Sequence, residues 1–261
     1  MSHKAKNAND LRCASCREGQ HFDIPFSMAF QPIVDLASDA IFAYEALVRG
    51  LSGEGEGAIL SCVNDQNRYA FDQACRIRAI ELAAQLRLSE HARFVSINFL
   101  PNAVYRPEAC IRATLAVAER VEFPLEAIIF ELTEGEALSE PAHLKSIVES
   151  YRKMGFRTAI DDFGAGFSGL NRLAQFQPDL VKLDMQLVRD IDKDPVKRVI
   201  VGGIVKICGD LGIEIIGEGV ETAQESLALL DLGISIQQGY HFARPGFETL
   251  PEVAKGVAAL A

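Results

Sequence analysis

No run of apolar residues in this 261-residue sequence is long enough to span a membrane. The most apolar helical stretch, VIVGGIVKIC, is broken by Lys206, and the opening MSHKAKNANDLRCASCREGQ has no apolar signal core. Both absences lead us to expect a cytoplasmic protein. Cysteine is scarce: six in a chain of this length make no disulfide framework. Cys62, Cys75, Cys110 and Cys208 fall in helix-like segments and are expected to pack as small apolar residues. The five histidines lack a metal-type spacing, which argues against a His-rich zinc hydrolase. Positive charge is also in deficit. A net charge of −10 disfavours loose binding to nucleic acid or to an anionic membrane surface. An anionic substrate would need cations to carry it, held by acidic residues.

With 49% hydrophobic and 24% charged residues the chain can bury a large core. Residues 1–22 read as a polar tail and 23–261 as one domain, with no room for a fused sensor, cyclase or membrane domain. The tail holds Cys13-Ala-Ser-Cys16 with His21 nearby: half a zinc site, a redox pair, or two unremarkable thiols. Beyond it, strand-like apolar runs alternate with helical ones. Strands start near Phe30, Phe42, Phe94, Ile128, Thr158, Leu180, Ile215 and Ile234. Helices are expected over Asn67–Leu86, Arg106–Val121, His143–Met154, Pro195–Leu211, Thr222–Leu232 and Leu250–Leu260. Asp194-Pro195 marks one helix start, Thr222-Ala-Gln-Glu225 matches a capping box, and Gly155, Gly212 and Gly233 sit where left-handed C-caps belong. Alternating βα units imply a largely parallel sheet. About eight strands favour a closed barrel over an open doubly wound sheet.

Polar residues end five of the apolar runs: Glu45 in AIFAYEALVRG, Asn98 in FVSINFL, Glu131 in AIIFELTE, Asp161 in TAIDDFGAGF and Glu218 in EIIGEGVE. A carboxylate buried at a strand end is costly unless it is paired or binds metal. Oxygen ligands converging from several strands suit a hard cation such as Mg²⁺, and barrel active sites lie at the C-terminal strand ends. Solvated strand-end acids are the alternative, but they seldom recur on five strands. Asp161 and Asp162 are adjacent and point to opposite sides of a strand, so they can share a site only where the strand is ending, at Phe163-Gly164. Lys182 follows Leu180-Val181 and would point into the barrel mouth, either as a catalytic cation or as a structural ion pair. The segment 163–169 is a glycine-rich loop able to close over a substrate, or a plain strand-to-helix turn.

These residues resemble the EAL-domain family of cyclic-di-GMP phosphodiesterases over roughly residues 26–250. The resemblance is carried by Gln31-Pro-Ile-Val34, Glu45-Ala-Leu47 with Arg49, Asn98, Glu131-Leu-Thr-Glu134, Asp161-Asp-Phe-Gly164, Lys182-Leu-Asp184, Glu218-Gly-Val-Glu221-Thr and Gln238-Gly-Tyr. Gly50 stands where a tryptophan is common, and Gly169 where a serine is usual. The resemblance implies a TIM-like (β/α)8 barrel with the first strand antiparallel, and hydrolysis of cyclic-di-GMP to linear pGpG with Mg²⁺ or Mn²⁺, inhibited by Ca²⁺. It makes Asp161 the bridge of a two-metal site, with Glu45, Asn98 and Glu131 on one ion and Asp162 on the other. Catalytic roles fall to Glu218, Lys182 and Glu45, with Glu218 either the general base or a ligand of the second ion. Gln31, Arg49, Asp184 and Gln238 are implied to contact substrate, and Glu134 to anchor the loop 163–169. A homodimer is expected, its interface beside that loop, where Leu170, Leu173, Ala174 and Phe176 supply apolar surface. Two other readings stay open: a catalytically silent cyclic-di-GMP receptor, and an unrelated magnesium-dependent barrel enzyme acting on a carbon acid.

Overall fold

Eight strands close on themselves in the computed structural model, which describes residues 22–104, 106–133, 141–166 and 169–253. They are β1 (Phe26–Asp35), β2 (Ala40–Gly50), β3 (Phe94–Asn98), β4 (Ile128–Thr133), β5 (Arg157–Phe163), β6 (Leu180–Leu183), β7 (Glu214–Gly217) and β8 (Ile236–Gln238). The hydrogen-bonded order runs β2-β3-β4-β5-β6-β7-β8-β1, and β1 pairs back onto β2 to close the barrel. From β2 to β8 neighbours are parallel, whereas β1 is antiparallel to both its neighbours. A two-residue strand, β9 (Gly246–Phe247), adds to β1.

The helices are α1 (Glu56–Leu60), α2 (Arg68–Gln85), α3 (Pro107–Cys110), α4 (Arg112–Arg120), α5 (Pro141–Lys153), α6 (Gly169–Gln175), α7 (Met185–Val188), α8 (Pro195–Leu211) and α9 (Ala223–Asp231). Their ends follow the local chemistry. The Asp194 carboxylate accepts from the N–H groups of Val196 and Lys197 with Pro195 in the first turn, and Thr222 and Glu225 form the capping box. Gly155, Gly212 and Gly233 all take positive φ, so the three C-cap assignments hold. No helix among the described residues is long and apolar enough to cross a membrane.

Several expectations need correction. The helix expected over 106–121 is two helices, α3 and α4, that meet at Ile111. The short helix α1 is absent from the expected set. Residues 250–253 are not helical, and the rest of the helix expected over Leu250–Leu260 lies outside the described residues, as do Cys13, Cys16 and His21. Cys75, Cys110 and Cys208 are buried as expected, but Cys62 is exposed. Leu173 and Phe176 are buried in the protein's own core, leaving Leu170 and Ala174 as the exposed apolar residues of α6. A larger exposed apolar surface lies on α8, at Val196, Val199 and Ile200.

Two apolar layers fill the structure. Outward-facing strand residues such as Phe30, Val95, Phe130, Ile160 and Val181 pack under the helices. A second cluster, Ile33, Phe42, Ala43, Phe94, Ile129, Ala159, Leu180, Ile216 and Ile236, plugs the barrel itself. The outer layer contains a buried ion pair. Arg76 donates to the Asp72 carboxylate at 2.5 Å and to Thr114 Oγ1 at 3.3 Å, and the Leu100 N–H donates to Asp72 Oδ1 at 2.9 Å. Both side chains are almost wholly buried. Removing one member leaves an uncompensated charge, so Asp72→Ala should cost about 3–5 kcal/mol, read as a lower urea midpoint. The double variant Asp72→Leu/Arg76→Met should lose clearly less. Equal losses in the two would show that the pair is not the origin of the cost.

Candidate metal centre and cleft

Period-two alternation builds the site directly on the barrel plug. Counting two residues on from the plug residues of β2 to β8 gives Glu45 after Ala43, Ser96 after Phe94, Glu131 after Ile129, Asp161 after Ala159, Lys182 after Leu180, Glu218 after Ile216 and Gln238 after Ile236. On antiparallel β1 the order reverses, and Gln31 precedes Ile33 by two. Gln31 pairs with Glu45 across the β1–β2 ladder, and Asn98 with Glu131 across β3–β4. Each strand therefore delivers at least one polar residue to a layer above the plug, and β3 and β5 deliver two.

The Lys182 ammonium stands at the centre. Its Nζ lies 2.8 Å from Glu131, 2.8 Å from Glu218, 3.0 Å from Asp161 and 3.5 Å from Glu45. Lys182 is 1% exposed. Burial alone would lower its pKa, but Asp161, Glu131, Glu218 and Glu45 hold it well above the usual lysine value. Burial pushes the Glu131 and Glu218 carboxyls well above the carboxylate range, against the attraction of Lys182. Partial burial and the adjacent Asp161 carboxylate push Asp162 up to about 6.

Asp161 and Asp162 meet in one site where β5 ends, as expected, and a bulge completes the arrangement. The strand ends at Phe163, which still pairs with Leu183, and the β5–β6 register shifts between Ile160 and Phe163. Asp162 takes φ +55, a left-handed conformation that Asp tolerates better than most residues. This bulge turns the second acid toward the same side as the first.

The donor set fits hard divalent ions. Glu45, Glu131 and Asp161 form one group whose carboxylate oxygens lie within 4.8 Å of one another, and Asp161, Asp162 and Glu218 form a second. Asp161 belongs to both. Its buried Oδ1 lies 3.0 Å from Lys182 Nζ yet receives no aligned hydrogen bond, and the buried Gln238 Oε1 has none either. Five carboxylates against one ammonium leave excess negative charge that one or two dications would neutralise. The remaining contacts orient the donors. Ser96 Oγ donates to Glu131 at 2.5 Å, Asn98 Nδ2 to Glu45 at 3.1 Å, and Gln238 Nε2 to Glu45 at 2.7 Å.

Above this layer lies a cleft of about 270 Å³, lined by Gln31, Glu45, Asp162, Asp184, Met185, Glu218, Gly219, Glu221, Gln238, Gly239 and Tyr240. Of the four residues implied to contact substrate, Gln31, Asp184 and Gln238 face it. Arg49 does not line it: its guanidinium donates to the Val48 carbonyl at 2.7 Å and lies 4.0 Å from Glu56. Glu134 lies outside the described residues, as do positions 167 and 168 of the loop. Ser96 and Met185 were not singled out in the sequence, and Tyr240 only as the last residue of Gln238-Gly-Tyr. Ser96 was available there, since it shares the strand phase of Asn98.

The EAL domain family model matches residues 21–245. The chain belongs to the EAL domain family. This EAL domain is 32% identical over 226 residues to the blue light- and temperature-regulated antirepressor BluF of Escherichia coli (strain K12), covering 87% of this chain and 56% of that protein. It is 38% identical over 130 residues to the cyclic di-GMP phosphodiesterase RocR of Pseudomonas aeruginosa, covering 50% of this chain and 33% of that protein. The chain thus spans about half the length of BluF, and a smaller share of RocR. Among solved structures, a standalone versatile EAL protein from Vibrio cholerae O395, in a c-di-GMP bound form, is 51% identical. Its TM-score is 0.87, over 91% of this chain and 99% of that one. The Klebsiella pneumoniae BlrP1 manganese/cy-diGMP complex is 35% identical with a TM-score of 0.80, over 90% of this chain and 60% of that one.

The raised acids give the metal-free EAL domain a defined pH dependence. Asp162 is pushed up to about 6 in the folded state, from an ordinary carboxylate value of 3.8, so the folded state binds more protons between those values. Stability therefore falls as pH rises through that window, and Glu131 and Glu218 act in the same direction. In EDTA the melting temperature should rise as pH is lowered from about 8 to about 5, and saturating Mn²⁺ should flatten the profile. Identical profiles with and without Mn²⁺ would contradict this electrostatic account.

Proposed function

We propose that this EAL domain hydrolyses one phosphodiester of cyclic-di-GMP to give linear pGpG, using Mg²⁺ or Mn²⁺. The observation that carries the proposal is the sharing of Asp161 between two acid groups at the floor of one cleft. The phosphodiesterase name of RocR and the cyclic-dinucleotide complexes of the two similar structures support it. Metal ions, when bound there, lower the pKa of water and offset charge on the phosphate. Glu45, Asn98, Glu131 and Asp161 are proposed to hold one ion, and Asp161 and Asp162 the other. Glu218 faces the cleft beside Asp161 and Lys182, and its raised pKa makes it a stronger proton acceptor than an ordinary carboxylate. Ligation of the second ion is its other possible role. Lys182 keeps the acids together and offsets negative charge.

Gln31, Asp184 and Gln238 are proposed to contact substrate from the cleft walls. Arg49 would reach a phosphate after its guanidinium leaves the Val48 carbonyl, and there it would offer two parallel donors. Glu134 is proposed as the anchor of the loop 163–169, and a homodimer interface is proposed beside the exposed Leu170. The antirepressor name of BluF motivates the second reading, a silent cyclic-di-GMP receptor. Retention of the five acids and Lys182 favours catalysis.

Two outcomes test the proposal. Purified protein incubated with cyclic-di-GMP should release pGpG with Mg²⁺ or Mn²⁺ and none in excess EDTA. Ca²⁺ should permit binding with little hydrolysis, because its larger, looser coordination positions water poorly. Tight binding without product under every metal would establish the receptor reading instead. Separately, Glu45→Ala and Asp161→Ala should each abolish hydrolysis while the metal-free melting temperature stays level or rises, because each removes like-charge repulsion. Wild-type turnover in either variant would remove that residue from the metal centre.

A further inference from the structure

The loop that follows β7 carries Glu218 into the cleft and is held at both ends. At the near end the Glu218 N–H donates to the Leu183 carbonyl at 3.2 Å. The Val220 N–H then donates to the Gln238 carbonyl at 3.0 Å, and the Val220 carbonyl accepts from the His241 N–H at 3.0 Å. Between them Gly219 turns the chain at φ +67, so close to Met185 that a Cβ would lie 2.4 Å from that residue's Cβ. At the far end sits Glu225, in the first turn of α9 and 2% exposed. Its Oε2 accepts from the N–H groups of Glu221 at 2.9 Å and Thr222 at 3.1 Å. Its Oε1 accepts from the N–H of Asp190 at 2.9 Å, on the segment between α7 and α8.

A capping box needs only the exchange between Thr222 and Glu225. The bonds to Glu221 and Asp190 go beyond it, and they join two stretches of chain through one buried carboxylate. Burial would raise the pKa of that group, but the three amide donors and Arg189 bring it below the usual value. Arg189 pairs with Glu221 at 2.5 Å and lies 4.0 Å from Glu225, reinforcing the same junction.

We propose that Glu225 is a positioning residue for Glu218. By fixing the far end of the Glu218–Thr222 loop to the Asp190 turn, it prevents rotation about Gly219 and keeps the Glu218 carboxylate beside Lys182 and Asp161. The proposal rests on the hydrolytic reading of the site for its effect on rate, and on geometry alone for its effect on the loop.

Glu225→Gln retains one acceptor oxygen and cannot serve both segments. Thr222→Ala removes the cap hydroxyl and leaves the Glu225 carboxylate intact. In the 261-residue chain, Glu225→Gln should speed amide exchange in residues 218–222, weaken Mn²⁺ binding measured by calorimetry about 10–100-fold, and lower kcat about tenfold with little change in KM. Thr222→Ala should lower the melting temperature by about 2–4 °C, with Mn²⁺ affinity and kcat within about twofold of wild type. Wild-type exchange and Mn²⁺ affinity in Glu225→Gln would overturn the proposal, as would an equal loss of kcat in Thr222→Ala. If the wild-type protein has no hydrolytic activity, amide exchange and the Mn²⁺ titration still decide the point. If Glu225→Gln does not fold, Glu225→Asp, which withdraws the same two oxygens on a shorter arm, undergoes the same measurements.

Discussion

Lys182 and the four carboxylates within 3.5 Å of it make the upper half of the barrel possible. Burying one ammonium or one carboxylate costs several kcal/mol, and collecting like-charged acids from several strand ends adds repulsion. Each defect offsets the other because both occur at the same height. The strand registers fix that height, and the apolar plug directly below keeps it dry from beneath. The acids come from β2, β4, β5 and the end of β7, the cation from β6. Ser96 on β3 and Gln238 on β8 then hydrogen-bond two of the acids. One cation therefore links strands that are not neighbours in the sheet.

Much of this was legible in the sequence because the strands obey a strict two-residue phase. An apolar residue in the plug is followed by a polar residue in the layer above, and Glu45, Glu131, Asp161, Lys182 and Gln238 could be placed from their runs alone. Ser96 obeys the same phase but carries no charge, so nothing in FVSINFL marked it as unusual. The bulge at Asp162 was not legible for another reason. It depends on Phe163 pairing with Leu183, a contact between strands that local sequence does not contain. Asp72 and Arg76 were invisible for a third reason. An acid and a base four apart on a helix usually describe a solvated face, and only packing against α4 shows that this face points inward.

Relatives with the same fold carry names as different as antirepressor and phosphodiesterase. The barrel alone cannot choose between such roles, because function resides in the residues placed on it. Here the choice rests on the shared position of Asp161, the open face of Glu218 and the cleft above them. The apolar surface of α8, on the outside of the barrel, has no part in that argument.

The reversed direction of β1 also decides where the chain enters the barrel. Phe26, its first residue, pairs with Gly50, the last residue of β2, whereas Asp35 pairs with Ile236 at the start of β8. In an all-parallel barrel the chain would arrive at the floor, away from the chemistry. Here it arrives at the rim, where the Phe22 ring packs against Phe26 and Phe71. Whatever is joined ahead of that point is tethered on the cleft side. Its local concentration there is set by tether length and stiffness, not by the amount of protein in solution. A modest intrinsic affinity for the rim is then enough to keep it occupied at any dilution.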